Sequence, residues 1–475
     1  MRKKKYYLIG IGGVAMASLA GLLKQKGHEV EGSDQEMYEP MAGMLKEQKI
    51  KVHSPYSEFH LKQAKPDMVV VGNAISRGNS ELEYVLSIGQ SYRSLPEILK
   101  EEFLEDKCPI VIAGTHGKTT TSALVSWILE SAGLDPTVFV GGFIRNIGSS
   151  FKLGKGKYVV LEGDEYDTAF FDKGPKFYHY RPYIGIVNNI ELDHVDIYKD
   201  LEAIKITFGR FMNLIPQTGL LVVSRENIEA YEVAKSKKKS AIASFGIKKG
   251  DYTAKNITAN KDNMTFDVFS AKGGPASGRH VKHLIVNIKT RLTGEFNVRN
   301  ILAAVIVADF LKIPHQKIEA AMETFEGVKR RAEIIVEKNG ITVIDDYAHH
   351  PTAIRETVLA LKKKFRMKRI FVMFEPGSAS AKRRIFEKQF VDSLTNANLV
   401  YMFKPFHVEH MNKKDVINNK SIVAQLNKAG TKASNFENID KLLFQMKQDI
   451  HPNDVIVIMS CRGFDGLRER IADYL

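Results

Sequence analysis

Three short stretches gather the residue types that handle phosphate and divalent cations. The first is AGTHGKTTT, residues 113–121, where an apolar run ends in glycines, a lysine and hydroxyls. Backbone N–H groups of a glycine-bearing loop at the start of a helix can hold phosphate oxygens. Gly114, Thr115, His116, Gly117 and Thr120 are the candidate loop residues. Lys118 can reach the β- and γ-phosphates of ATP, and the Thr119 hydroxyl can ligate Mg²⁺. The spacing departs from G-x-x-x-x-G-K-T, because Ile112 stands where the first glycine would be. A chance GKT is the competing reading, and the strand–loop–helix context favours phosphate.

The second stretch, VVLEGDEYDTAFFDKG (159–174), crowds Asp164, Glu165, Asp167 and Asp172 among Tyr166, Phe170 and Phe171. Its apolar run stops at Glu162. Mg²⁺ or Mn²⁺ takes hard oxygen ligands, so Glu162 is either a metal carboxylate facing the phosphate loop or a surface acid at a strand end. The third, IGIVNNIELDHVD (184–196), is another apolar run ending in polar groups. Its His194 reads equally as a metal ligand or as an ordinary loop histidine.

Two further segments carry weaker signals. GIGGVA (10–15) satisfies G-x-G-x-x-A after a strand, with Asp34 ending the next strand. That turn serves a dinucleotide or any other nucleotide diphosphate, and no hydride-transfer residues stand out beside it. VIDDYAHHPTAI (343–354) ends a strand in paired aspartates and continues with Tyr347, His349 and His350 at the head of a helix. Adjacent histidines diverge and no third ligand is evident, so they read as substrate contacts or caps. Lys329, Arg330 and Arg331 are a solvated linker or charges that close onto phosphate.

The elements that must position these residues alternate between strand and helix, which implies parallel sheets covered on both faces. Strands are expected at 5–9, 28–31, 50–53 and 67–72, with a helix over 14–26. A second unit opens with the strand 108–114 and a helix from Lys118 to Ala132. It continues with strands near 137–140, 157–161 and 184–188, a hairpin loop at 270–280, and a helix over 297–311. The third has strands at 332–336, 341–345, 369–374, 398–403 and 454–459. The expected domains are 1–106, 107–325 and 326–475, in keeping with 475 residues.

Composition narrows the class. The net charge of +14 owes much to RKKK (2–5) and KSKKK (235–239), and it suits anionic small molecules. No basic helix, RNA-binding signature or zinc spacing accompanies it, so nucleic acid is not the expected partner. Cys108 and Cys461 lie far apart outside any CxxC, which fits a reducing cytoplasm. The N-terminal run superficially resembles a signal peptide, yet strand, glycine turn and helix describe it better. No transmembrane helix is expected.

Taken in order, GIGGVAM, GTHGKTTT, EGDEYD, NNIELDHVD, GEFNVRN, KRRAE and DDYAHHPTA run across essentially the whole chain and resemble the Mur ligases. These enzymes make amide bonds on cell-wall nucleotide precursors. The resemblance implies an α/β protein of three domains: a Rossmann-like N-terminal domain for the UDP-sugar, a central P-loop domain with a mostly parallel sheet, and a C-terminal Rossmann-like domain for the incoming amine. GIGG and DDYAHHPT look like the branch that acts on UDP-N-acetylmuramate. One member of that branch adds L-alanine; the other reattaches the recycled tripeptide L-alanyl-γ-D-glutamyl-meso-diaminopimelate. DEYDTAFFDKGPKFYHYRP and FEPGSAS (374–380) resemble the second.

The resemblance further implies an acyl phosphate formed from ATP and attacked by the amine. Lys118 and Thr119 would hold the phosphates and metal, Glu162 and His194 would serve the metal, and Asn297 and Asn300 would border adenine. Arg331 and Asp345 would close onto ATP. Tyr347, His349 and His350 would stand between nucleotide and amine, with His349 among the catalytic groups alongside Lys118, Glu162 and His194. Gly10, Gly12, Gly13, Asp34 and Asn73 would take the UDP-sugar, with no nicotinamide cofactor. Asp164 and Glu165 would be supporting or substrate-side neighbours of the metal carboxylate. Two departures stand out. Gly163 replaces the alanine of E-A-D-E, which is expected to loosen a turn. Gly377 replaces the arginine of F-E-P-R-S, with Lys382, Arg383 or Arg384 as candidate replacements for its charge.

Overall fold

A computed structural model describes residues 2–39, 41–236, 239–260, 262–271 and 283–475. Its strands fall into sheets of five, ten and six. The five-stranded sheet is parallel throughout, with Lys5–Ile9 at its centre between Glu29–Ser33 and Met68–Val71. Its tyrosine-rich central strand is buried on both faces, as a parallel strand covered by helices must be. The helix Val14–Gln25 leaves the glycine turn and buries Leu19, Leu22 and Leu23 against the sheet.

The ten-stranded sheet places Cys108–Ala113 between Ile184–Val187 and Tyr158–Gly163, all parallel. Side chains of neighbouring parallel strands in register share a face, and Ile112 pairs with Glu162. That register carries the acid at the strand end to the loop that begins at Gly114. The far side of the sheet changes character: Tyr252–Ala259, Met264–Ser270 and His283–Thr290 pair antiparallel. Most of the expected hairpin loop at 270–280 lies outside the described residues. Glu295–Phe310 is apolar nearly all round and sits in the middle of the largest core cluster.

In the six-stranded sheet only Glu333–Lys338 runs antiparallel. Pro351–Lys364 starts with Pro at its first position and His350 as N-cap, the preferred place for a residue without an N–H. The first sheet's layer meets the central one through a close approach at Gly21. A Cβ there would fall 2.0 Å from the Phe151 ring. Beside it, the Ser18 and Ser150 hydroxyls share a hydrogen bond of 2.8 Å.

Phe170 and Phe171 pack against Tyr92 of the first layer, at centroid distances of 6.3 and 5.1 Å. They therefore bridge two layers and do not border the cleft described below. Among the described residues no helix is long and apolar enough to cross a membrane.

Candidate active site

A single cleft of about 1780 Å³ runs between the three sheets. It is lined by Gly10, Gly13, Asp34 and Asn73 from the first layer and by Thr115 to Thr120, Glu162, His194, Asn297 and Asn300 from the central one. Arg331, Tyr347, His349 and His350 line it from the third. Of the residues expected to touch ATP, UDP-sugar, metal or amine, Gly12, Gly114 and Asp345 do not reach its wall, and neither does Glu165 beside Glu162.

The phosphate loop is held in shape from below. Gly114 and Gly117 adopt φ of +130° and +79°, a region that strains any residue with a Cβ. The His116 N–H donates to Asn189 Oδ1 at 2.8 Å, and a Cβ at Gly117 would lie 2.6 Å from Asn300 Oδ1. Asn300 in turn accepts from the Thr121 hydroxyl and donates to Asn297. The two asparagines thus brace the loop helix from within the core.

Lys118 Nζ donates to Glu165 at 2.8 Å and to the Gly114 carbonyl at 2.8 Å. Burial pushes its ammonium down, but the Glu165 and Asp164 charges outweigh burial and leave it above its ordinary value. Glu165 also receives His194 Nε2 at 3.4 Å. Burial lowers the His194 imidazole, while the Glu165 hydrogen bond and charge lift it to about 8. Asp164 meets Lys176 at 3.2 Å and the Tyr166 hydroxyl at 2.7 Å. The cations of this wall are therefore already paired with carboxylates.

Glu162 differs from its neighbours. Its Oε1 accepts only the Gly141 N–H, at 2.9 Å, and its carboxyl is raised by burial and then by the charge of Asp164. Gly141 and Gly142 allow that approach: Cβ atoms there would lie 3.1 Å from Glu162 Oε2 and 2.6 Å from Thr119 Cγ2. Thr119 Oγ1 receives only a long bond from Arg331, 3.3 Å. A hydroxyl and a half-buried, electrostatically crowded carboxylate beside a phosphate loop fit a hard divalent cation. His116, Glu191 and His350 also offer donor atoms within 4.8 Å of one another. His350, however, uses both ring nitrogens, donating to the Leu192 carbonyl and accepting from the Thr352 N–H.

Asp34 braces the N-terminal glycine turn. It accepts the Gly12 N–H at 2.8 Å and the Tyr56 hydroxyl at 3.0 Å. Asp345 is buried behind the third wall, paired with Arg330 at 3.2 Å and Arg468 at 2.8 Å. Neighbours on a strand point to opposite faces, and it is Asp346 that lines the cleft. Arg331 stands 5.0 Å from the Tyr347 ring centroid.

His349 Nδ1–H donates to the Tyr347 carbonyl at 2.9 Å, which leaves Nε2 as the acceptor of a neutral ring. Burial pushes both His349 and His350 down to about 4. Gly163 does not loosen a turn. It ends a paired strand, packed so that a Cβ would meet Val111 Cγ1 at 2.8 Å.

Sequence reasoning missed several groups that complete these walls. Gly141 and Gly142 were visible as a GG pair inside the apolar run TVFVGGFI, the strand Thr137–Ile144. Glu191, which accepts from the Thr352 hydroxyl at 2.6 Å and ties the central and third layers together, gave no local signal.

A mostly parallel α/β sheet with a glycine loop, its lysine and hydroxyl, and an acid on the adjacent strand defines a nucleoside-triphosphate-using enzyme. Three family models match: the Mur ligase family catalytic domain over residues 5–105, the Mur ligase middle domain over 112–308, and the Mur ligase glutamate ligase domain over 330–462. The chain is 36% identical over 473 residues to the UDP-N-acetylmuramate–L-alanyl-γ-D-glutamyl-meso-2,6-diaminoheptandioate ligase of Haemophilus influenzae, covering 99% of each. It is 35% identical over 455 residues to a UDP-N-acetylmuramate–L-alanine ligase of Clostridium acetobutylicum, covering 96% of this chain and 94% of that one. A crystal structure of a murein peptide ligase from Psychrobacter arcticus superposes with a TM-score of 0.75 at 32% identity, covering 99% of this chain and 98% of that one. The chain belongs to the Mur ligase family, and it is an ATP-dependent ligase that forms a C–N bond.

Proposed function

We propose that this enzyme joins the lactyl carboxylate of UDP-N-acetylmuramate to the α-amine of L-alanyl-γ-D-glutamyl-meso-diaminopimelate, in the cytoplasm, as a step of peptidoglycan recycling. The observation that carries the reading is the continuity of the cleft. One space borders the N-terminal glycine turn, the phosphate loop and the Tyr347–His350 segment, and it exceeds the roughly 300–1,000 Å³ of an ordinary ligand pocket. The full-length likeness to relatives named for the tripeptide substrate supports the choice of amine.

In this reading residues 1–106 bind the UDP-sugar, with Gly10, Gly13 and Asn73 at the diphosphate. Residues 107–325 bind ATP, and 326–475 the peptide. The γ-phosphoryl group passes to the lactyl carboxylate, giving an acyl phosphate and ADP. The amine attacks the acyl carbon, and the tetrahedral intermediate expels inorganic phosphate. Lys118 exchanges Glu165 for the β/γ-phosphates, and Arg331 approaches them from the third wall.

Thr119 and Glu162, with His194 nearby, would hold Mg²⁺ or Mn²⁺, which supplies neutralisation of phosphate charge. His349 at a pKa near 4 is too weak a base to carry a proton away at neutral pH. Its Nε2 accepts a hydrogen bond from the incoming amine and orients the lone pair. Such a reaction gains mainly from positioning and charge neutralisation.

The test supplies ATP, Mg²⁺ and UDP-N-acetylmuramate, and compares phosphate release with the tripeptide and with L-alanine. Release with the tripeptide is expected. Release with L-alanine alone overturns the assignment in favour of the alanine-adding reaction.

A further inference from the structure

Gly377, in the turn after the strand Ile370–Phe374, has a non-local reason to be glycine. Its φ lies outside the left-handed region, so the backbone does not demand it. A Cβ there would instead meet Arg462 Cγ at 2.8 Å and Cys461 Sγ at 3.1 Å. The stem of Arg462 thus occupies the space that any side chain at 377 would need.

The backbone of Arg462 is firmly placed, and its side chain is exposed. Its N–H donates to Ser460 Oγ at 2.8 Å, and its carbonyl accepts from Arg330 at 3.3 Å and Arg468 at 2.8 Å. Its guanidinium lies 5.3 Å from the Phe406 ring centroid, and Nε donates to the Gly377 carbonyl at 3.4 Å. It lines the cleft in company with Tyr347, His349 and Ser378. Among the described residues no carboxylate lies within ion-pairing distance of it.

Lys382, Arg383 and Arg384 do not line the cleft. Lys382 is spent on the His407 carbonyl at 3.1 Å, and Arg384 pairs with Glu387 at 3.4 Å. An exposed guanidinium at a substrate cleft, with no anion partner among the described residues, is suited to a carboxylate, which it can meet through two parallel hydrogen bonds.

We propose that Arg462 binds a carboxylate of the incoming amine substrate, supplying from the end of the strand Val455–Met459 the cation that position 377 lacks. The inference rests on the reading of this wall as the amine site. Both candidate amines, the tripeptide and L-alanine, carry a carboxylate.

The experiment measures steady-state kinetics of the full enzyme with the amine that the wild type accepts. Arg462→Ala is expected to raise KM for that amine about 10- to 100-fold, the loss of a charge-assisted contact. The KM values for ATP and UDP-N-acetylmuramate should stay within about twofold, which also reports intact folding. The exchange Gly377→Arg with Arg462→Ala should restore most of the amine affinity, whereas Gly377→Arg alone should not improve it. An unchanged amine KM in Arg462→Ala overturns the proposal. Use of L-alanine in place of the tripeptide overturns only the assigned substrate, and the Arg462 effect is then read on L-alanine. A wild type inert to both overturns the two together.

Discussion

The two walls of the cleft solve opposite electrostatic problems. On the phosphate-loop wall the cations come already engaged: Lys118 and His194 with Glu165, and Lys176 with Asp164. On the C-terminal wall His350 is buried and His349 half-buried, both pushed down to about 4, and among the described residues Arg462 has no carboxylate partner at the cleft. A buried lysine left alone would shed its proton, so a site awaiting a polyanion needs temporary partners. A wall that is to receive an amine has the reverse need, since a buried anion would hold the amine as its unreactive ammonium. The first wall must exchange partners on binding, and the second is preorganised.

The sharpest break of this contrast removes the phosphate wall alone. Lys118→Ala or Glu162→Ala should lower kcat by about 10³-fold or more, as loss of a charge-stabilising group does. UDP-N-acetylmuramate binding, followed by titration calorimetry, should remain within about threefold. A collapse of that binding would mean that the two jobs are not separable.

The walls should also titrate in opposite senses. His349 and His350 sit near 4 in the folded chain, against about 6.5 when unfolded. Between those values the unfolded chain takes up protons that the folded chain refuses. Stability is therefore full above about pH 6.5 and falls toward pH 4, by an amount on the order of several kcal/mol. His194, raised to about 8, adds stability that is full below about pH 6.5 and is lost as pH rises through 8. Melting temperatures across pH should show both limbs. His349→Gln should flatten the acid limb and Glu165→Gln the alkaline one. The same limb responding to both variants would refute the division.

The smallest effect concerns the packing beside Glu162. Gly163→Ala should cost about 1–3 kcal/mol by overpacking, seen as a lower melting temperature. Val111→Ala in the same chain should recover part of it, because Val111 Cγ1 is the nearest obstacle. No loss in the single variant would show that the strand end yields more easily than its packing implies.

Much of the architecture was legible because hydrophobic period and glycine placement are local. The strand expected at 108–114 is Cys108–Ala113, and the helix expected over 297–311 is Glu295–Phe310. The positions of the glycine loop and of Glu162 were legible for the same reason, since each lies at the end of an apolar strand, whereas His194 falls in the loop beyond Ile184–Val187. What failed to show was pairing across distance. Asp345 and Asp346 look equivalent in sequence, and only the orientation of the strand Ile341–Asp346 sends one to Arg330 and Arg468 and the other to the cleft. Gly163 read as a loosened turn because its neighbour Val111 is 52 positions earlier in the chain.

Local pattern suffices to specify three α/β layers carrying a glycine-rich phosphate loop, an acidic strand end and a double histidine. Those features depend on residues within a turn or two of one another. Tertiary structure alone decided which charges meet. Glu165 satisfies both Lys118 and His194, Asn300 supports Gly117 from beneath, and Arg462 fills the space left by Gly377. Each of these contacts joins segments that only the packing of strand ends around one cleft brings within bonding distance.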